Sequence, residues 1–209
     1  MSRALPLSLA ALGHDSLLSK AVLVVAGSAL IAVAAQISVP MYPVPMTLQT
    51  LAILIVGLSL GSRLGALALL AYLAEGAVGL PVFAEAKSTL ALIGPSAGFL
   101  VGFVGMAFIA GLAADYGIRK FLPMAGLALV AAALLYIPGV AWPLLLAKIS
   151  GVTQMLAGFG VDPAKWGADT TAMIWQYYIA PFLIGDTVKA VLAALIVAGG
   201  WSVLGRRST

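Results

Sequence analysis

The chain has 209 residues, of which 63% are hydrophobic and only 9% are charged. A typical soluble domain is about 25% charged, and the 11 Lys and Arg with 7 Asp and Glu found here cannot cover a water-soluble surface of this length. The composition therefore excludes a soluble domain and predicts an integral membrane protein. The lack of cysteine excludes disulfides and thiolate metal sites, and the net charge of +4 reflects loop residues rather than nucleic-acid binding.

Residues 1–20 are predicted to be a cytoplasmic lead-in, because Gly13-His14-Asp15 interrupts their short apolar stretch and no cleavage site follows. Six apolar runs then predict membrane spans. These are Ala21–Ser38, Thr47–Leu60, Leu64 to about Val82, about Ser96 to Ala114, about Leu122 to Leu146, and about Asp186 to Leu204. The predicted fold is an all-α polytopic membrane protein with six transmembrane helices in one bundle and a single domain over residues 1–209.

The second run is too short to cross a bilayer, since it covers only about 21 Å at 1.5 Å per residue. We therefore expect the Pro-rich segment 39–46 before it to dip into the membrane and to form one wall of a site. A tight turn is predicted at residues 61–63, and Pro138 and Pro143 are expected to break the end of the fifth span. Residues 147–185 are predicted to form an extended external segment, in which Asp162-Pro163 starts an extra external helix or lid.

Positive charge is distributed unevenly between the two sides of a six-span arrangement. Seven of the eleven Lys and Arg residues fall on the side of the termini: Arg3, Lys20, Arg63, Arg119, Lys120, Arg206 and Arg207. By the positive-inside rule, both termini are predicted to be cytoplasmic.

Asp186 and Lys189 are the most informative charged residues. They share a helix face at i, i+3 spacing inside an otherwise apolar run, where a charge costs about 2.5 to 3.5 kcal/mol near the membrane centre. This cost favours a ligand site. The alternative is that Asp186 caps the helix N-terminus while Lys189 extends outward to the interface.

Other candidates have simpler interpretations. Asp115 and Arg119 are expected to be a solvated surface pair, and Glu75 is either a proton carrier or a residue at a bending helix end. Gly94-Pro95-Ser96-Ala97-Gly98 matches the nucleophile motif of serine hydrolases, but the only possible imidazole base, His14, falls on the opposite side of the membrane. No phosphate-binding loop motif for nucleotides is present.

A stripe of small residues marks one face of the first span, formed by Ser28, Ala29, Ala32 and Ala35. Such a stripe allows close helix packing. Whether the packed helix belongs to this chain or to a partner stays open at this point.

Several blocks together resemble the BioY family, the biotin-binding S components of energy-coupling factor (ECF) transporters. The blocks are Val39–Thr50, which contains Pro-Val-Pro-x-Thr-x-Gln, then Leu60–Ala66, Gly79–Phe83, Gly94–Phe99, and Pro181–Lys189, which contains Gly-Asp-x-x-Lys. The loop 84–89 departs from the Gly-rich loop of similar sequences.

The resemblance implies a subunit without catalytic residues, cofactor or metal that captures biotin from outside. It also implies a transmembrane coupling (T) protein and cytoplasmic ABC-type ATPases as partners, in the plasma (inner) membrane of a bacterium. The expected substrate-binding residues are Asp186, Lys189, Gln49, Thr47, Tyr42, Glu85 and Phe99, and the expected docking face for the coupling protein is Ser28, Ala29, Ala32 and Ala35. An S component or carrier for another small vitamin, and an intramembrane serine hydrolase using Ser96, remain alternatives.

Overall fold

The computed structural model describes residues 16–41, 43–148, 171 and 174–207. These residues form six α-helices and one short hairpin. The helices are α1 (Leu17–Gln36), α2 (Gln49–Leu60), α3 (Ser62–Ala77), α4 (Ala97–Asp115), α5 (Phe121–Lys148) and α6 (Ala180–Arg207). Four of them, α1, α4, α5 and α6, are long and apolar enough to cross a membrane, whereas α2 is apolar but has only 12 residues. The chain is therefore an all-α membrane protein.

Helix α4 lies at the centre of the bundle and packs against α2, α3 and α5. Helix α6 closes the bundle by packing on α5 and α2, and α1 packs on α3 and α2. Small residues allow the central helices to approach closely. A Cβ atom added at Gly57 of α2 would lie only 2.6 Å from the backbone oxygen of Ala107 in α4.

The turn between α2 and α3 is shorter than predicted. Gly61 alone makes it, in a positive-φ conformation (φ 84°) that suits glycine, and Ser62 already belongs to α3. The side chain of Asp115 on α4 receives hydrogen bonds from the backbone N–H and the hydroxyl of Ser62. Helix α3 also ends at Ala77 rather than at Val82, because Gly79 adopts φ 99° and Pro81 follows.

The prediction that Pro138 and Pro143 break the fifth span is wrong. Helix α5 continues through both prolines to Lys148. Pro138 packs into space left by glycines of α4, since a Cβ atom at Gly98 or Gly102 would come within 2.6 Å of it. Packing against a neighbouring helix thus maintains α5 where proline removes a backbone donor.

The Pro-rich segment forms the tip of a two-stranded hairpin. Strands β1 (Ser38–Val39) and β2 (Met46–Thr47) pair antiparallel, with Ser38 opposite Thr47 and Val39 opposite Met46. Tyr42 lies outside the described residues.

The last helix begins earlier than predicted. Helix α6 starts at Ala180 and follows directly on a π-helical turn, Trp175–Ile179. Asp186 therefore lies inside the helix, and the interpretation of Asp186 as an N-terminal cap is wrong. The proposed extra helix at Asp162-Pro163 lies outside the described residues.

The small residues of the predicted stripe on α1 point partly into the bundle and partly away from it. Ser28 and Ala35 are fully buried within the chain's own bundle, Ala32 is partly buried against the core, and Ala29 is exposed. The four residues therefore do not form one exposed docking face. Ser28 faces inward because its hydroxyl donates to the carboxylate of Glu75 on α3, 2.8 and 2.7 Å from Oε1 and Oε2.

The expected solvated pair of Asp115 and Arg119 holds only in part. Arg119 is exposed, but its guanidinium also lies 4.2 Å from the ring centroid of Trp201 on α6. Asp115 is partly buried and binds the start of α3, as described above. Both residues therefore also connect helices.

Candidate binding site

A cavity of about 390 Å³ opens between the hairpin, the segment 83–96 and helices α2, α4, α5 and α6. This size is within the range of small-molecule sites. Most of its walls are apolar, with Met41, Pro43, Val44 and Pro45 from the hairpin and Phe83, Leu100, Phe103, Leu135 and Phe182 elsewhere. Its polar side chains are Thr47, Gln49, Thr50, Glu85, Lys87, Ser96, Asp186 and Lys189.

The Asp186 carboxylate is buried and receives hydrogen bonds from three helices. Its Oδ1 accepts from the Thr50 hydroxyl of α2 at 2.9 Å and from Lys189 Nζ at 3.2 Å. Its Oδ2 accepts from the Tyr136 hydroxyl of α5 at 2.9 Å. These donors compensate the loss of water around a buried charge, so they hold the carboxylate in one position.

Lys189 is buried as well, with 8% of its surface exposed. Its ammonium donates to the backbone oxygen of Thr47 at 2.8 Å in addition to Asp186. The interpretation that Lys189 extends outward to the interface is therefore wrong. Because an ammonium has three N–H donors, these two partners leave one N–H for a molecule in the cavity.

Gln49 is the buried amide of the site, and two neighbours set its orientation. Its Oε1 accepts from the Thr47 hydroxyl at 3.0 Å, and its Nε2 donates to the Tyr72 hydroxyl at 2.7 Å. Tyr72 in turn donates to the backbone oxygen of Val82 at 3.2 Å. This chain of hydrogen bonds fixes which end of the amide is the donor and leaves one Nε2–H for a ligand.

An aromatic cluster surrounds the apolar part of the cavity. The ring of Phe99 is parallel to that of Tyr178, with centroids 6.3 Å apart, and makes an edge contact with Tyr136 at 6.2 Å. Phe182 lies at 6.3 Å from Phe99. Gly139 of α5 makes room for the Phe99 ring, because a Cβ atom there would lie 2.3 Å from it. Of these rings, Phe99 and Phe182 line the cavity and offer flat apolar surface to a ring-shaped ligand.

A second ion pair lies at the rim of the cavity. Lys87 and Glu85 are paired, and their side chains remain 57% and 40% exposed. The site therefore has a buried ion pair on α6 and an exposed ion pair at the rim. The apolar walls of the cavity lie between them.

Six of the seven predicted substrate-binding residues line this cavity: Asp186, Lys189, Gln49, Thr47, Glu85 and Phe99. The seventh, Tyr42, lies outside the described residues. Sequence reasoning missed Thr50, Tyr72 and Tyr136, which support Asp186 and Gln49. The sequence marks these three residues only as hydroxyl-bearing side chains inside apolar runs. Such side chains are common in membrane spans, so this signal does not identify site residues.

The other sequence candidates do not form a reactive centre. Ser96 lines the cavity, but no acid or base among the described residues hydrogen-bonds to its hydroxyl, and His14 lies outside them. Glu75 bonds Ser28 and does not line the cavity. Within the described ranges, no group of three or more His, Cys, Asp or Glu residues could hold a metal ion.

Comparison with known proteins agrees with this geometry. The model of the BioY family matches residues 8–206. The chain belongs to the BioY family. A probable biotin transporter BioY from Pyrococcus horikoshii is 35% identical over 80% of this chain and 87% of the relative. The biotin transporter BioY from Rhodobacter capsulatus is 36% identical over 74% and 77% of the two chains.

A solved structure shares the fold of this BioY-family chain. It is the crystal structure, at 2.1 Å, of the S-component for biotin from an ECF-type ABC transporter, and it matches with a TM-score of 0.64 and 21% identity over 87% of this chain and 89% of that chain. The two most specific BioY blocks of the sequence, Pro43–Gln49 and Gly185–Lys189, meet at the cavity through the hydrogen bond from Lys189 to Thr47.

Proposed function

We propose that this protein is the biotin-binding S component of an ECF transporter and not an enzyme. The observation that carries the proposal is the buried group of Asp186, Lys189 and Gln49 beside an aromatic cavity. The ureido ring of biotin has two N–H donors and one carbonyl acceptor, and its fused ring is apolar. Asp186 can accept from an N–H, Lys189 and Gln49 can donate to the carbonyl, and Phe99 can contact the ring.

The charges of the two ion pairs favour one orientation of biotin. A biotin carboxylate at Lys189 would lie beside the Asp186 carboxylate, so that two buried anions would share one cation, and a buried charge without its own partner costs about 3 to 5 kcal/mol. To bind at Lys87, it would displace Glu85 from an exposed pair worth about 0 to 1 kcal/mol. We therefore propose that the ureido ring lies at Asp186 and that the carboxylate lies at Lys87.

Equilibrium binding of radiolabelled biotin to the purified protein in detergent, without ATP, tests this function. Saturable binding that unlabelled biotin displaces, and that excess thiamine or riboflavin does not, is the expected result. Displacement by another vitamin instead would support an S component or carrier for that vitamin. No saturable binding of biotin would contradict the proposal.

The orientation has its own test in the same assay. Wild-type protein should prefer biotin over biotin methyl ester, which lacks the carboxylate charge. Lys87→Ala should reduce this preference by about twofold to fivefold, since an exposed ion pair contributes up to about 1 kcal/mol and about 1.4 kcal/mol corresponds to one decade. An unchanged preference in Lys87→Ala would place the carboxylate elsewhere.

The proposed partners are a transmembrane T protein and cytoplasmic ABC-type ATPases that energise uptake. Of the four small residues on α1, the exposed Ala29 and the partly buried Ala32 remain the candidate contacts for the T protein. Their support is the small side chain at each position and the neighbouring exposed Val25 and Val33, which together give a surface that another helix can approach.

We expect Ala29→Trp to abolish energised biotin uptake and to leave biotin binding to the isolated subunit intact. A bulky side chain would keep the T protein away from α1 without reaching the cavity. The measurements are uptake in cells that express all subunits and binding in detergent. Val130→Trp on α5, at a position that is also exposed, is the matched control. Normal uptake by Ala29→Trp would mean that this face contacts lipid.

We further propose that six helices cross the plasma (inner) membrane of a bacterium, that the hairpin of residues 38–47 dips into it, and that both termini are cytoplasmic. The excess of Lys and Arg on the side of the termini supports this orientation. A reporter fused after Thr209 that is active only outside the cytoplasm would contradict it.

A further inference from the structure

The segment 83–87 forms the rim of the cavity, and four of its five side chains line it: Phe83, Ala84, Glu85 and Lys87. The backbone folds into a tight turn in which the N–H of Phe83 donates to the oxygen of Lys87 at 3.0 Å. Phe83 is anchored from inside, with its ring over Gly76 and in edge contact with Tyr72. The remaining residues have no comparable burial, since Ala84 is only partly buried and Glu85, Ala86 and Lys87 are exposed.

This turn has an unfavourable backbone. Glu85 and Ala86 have φ values of 60° and 55°, and they are the only non-glycine residues with positive φ in the described part of the chain. Residues with a Cβ atom rarely adopt this conformation, and two in succession persist only where surrounding contacts maintain them.

Gln36, the last residue of α1, provides those contacts. Its Nε2 donates to the backbone oxygens of Phe83 at 3.0 Å and Val82 at 3.3 Å, and its Oε1 accepts from the N–H of Ala86 at 3.1 Å. One side chain therefore binds the segment on both sides of Glu85. Gln36 itself does not line the cavity.

We propose that Gln36 is a positioning residue for ligand binding. It holds the left-handed turn at Glu85 and Ala86, and it thereby sets Glu85 and Lys87 at the mouth of the cavity. The inference rests on the proposed function, because the carboxylate of biotin is the group that Lys87 would receive. Gln36 acts through the backbone of the turn and not through contact with biotin.

Gln36→Met tests the role of the hydrogen bonds, since it keeps the length of the side chain and removes its polar groups. Dissociation of radiolabelled biotin should become about twofold to fivefold faster, and the preference for biotin over biotin methyl ester should decrease. Ala86→Val should have the same effects in the presence of Gln36, because a branched side chain disfavours positive φ further.

Ala86→Gly provides the rescue, since glycine adopts positive φ readily and Ala86 does not line the cavity. Alone, Ala86→Gly should bind biotin like wild type, and in Gln36→Met/Ala86→Gly most of the lost affinity should return. Failure of this rescue in a folded double variant would overturn the inference, because a general structural role at the end of α1 would not depend on residue 86.

Hydrogen exchange of the ligand-free protein separates this inference from the proposed function. Amides of residues 83–87 should exchange faster in Gln36→Met than in wild type, whereas those of α4 should not change. Unchanged exchange in this segment overturns the role of Gln36 even if wild type binds biotin. Absence of biotin binding to wild type overturns the proposed function and the positioning role with it, whatever the exchange result.

Discussion

Asp186→Asn is expected to weaken biotin binding by roughly tenfold to a few hundredfold. The substitution keeps the size of the side chain but removes the charge that Thr50, Tyr136 and Lys189 surround. A hydrogen bond to a charged group contributes about 1.5 to 3 kcal/mol, and each 1.4 kcal/mol changes affinity tenfold. Equilibrium binding of radiolabelled biotin in detergent measures the effect.

Glu75→Gln is the matched control for this variant. Glu75 is also a carboxylate within a helix of the bundle, where it accepts from Ser28, but it does not line the cavity. Its substitution should leave the affinity for biotin unchanged. Wild-type affinity in Asp186→Asn would exclude the carboxylate from the binding site, and equal losses in both variants would indicate a general effect of removing a carboxylate charge from the bundle.

The double variant Asp186→Asn/Lys189→Met separates binding from folding. In the single variant, Lys189 becomes a buried cation without its carboxylate, which destabilises the protein. Removing both charges should restore much of the thermal stability and leave biotin binding weak. Recovery of binding together with stability would mean that the pair acts only in folding.

Gly111→Ala is expected to destabilise the whole bundle. A Cβ atom at this position of α4 would lie 2.3 Å from the backbone nitrogen of Ser62 and 2.4 Å from the carbonyl carbon of Gly61. Backbone atoms cannot rotate away as a flexible side chain can, so α4 must separate from the turn between α2 and α3. Overpacking of this kind costs about 1 to 3 kcal/mol or more. The same displacement would strain the hydrogen bonds from Ser62 to Asp115.

Gly105→Ala, on the same helix, is the control for this prediction. No atom lies within 4 Å of a Cβ atom added there. Because alanine favours a helix by about 0.8 to 1 kcal/mol over glycine, this variant should be as stable as wild type or more so. The thermal stability of the two variants is compared by heating each in detergent and measuring the fraction of protein that stays monodisperse. Equal stability of Gly111→Ala and Gly105→Ala would contradict the close packing of α4 against the turn.

The sequence by itself determined the class of the protein and one part of its site. Long apolar runs predict helices because hydropathy depends only on residues that are adjacent in the chain. The central residues of the predicted spans are helical in the structure. The spacing of Asp186 and Lys189 is local too, and the structure has their side-chain charges 3.2 Å apart on one helix face. The order and spacing of the sequence blocks were also sufficient to identify the resemblance to the BioY family.

Only the tertiary structure decided where the helices end and which residues support the site. Helix α5 passes through Pro138 because glycines of α4 accommodate it, and no feature of the α5 sequence contains that information. Likewise Thr50 and Tyr136 reach Asp186 from positions 136 and 50 residues away in the chain. Neither contact follows from local spacing.

The direction in which each helix face points was likewise decided only by tertiary packing. The small-residue stripe of α1 could have faced a partner, yet Ser28 and Ala35 are buried within the bundle while Ala29 is exposed. In a soluble protein, polar residues mark the outer face of a helix. In a membrane, lipid and protein interior are both apolar, so residues on the two faces have similar hydropathy, and close packing between specific helices selects the face that is buried.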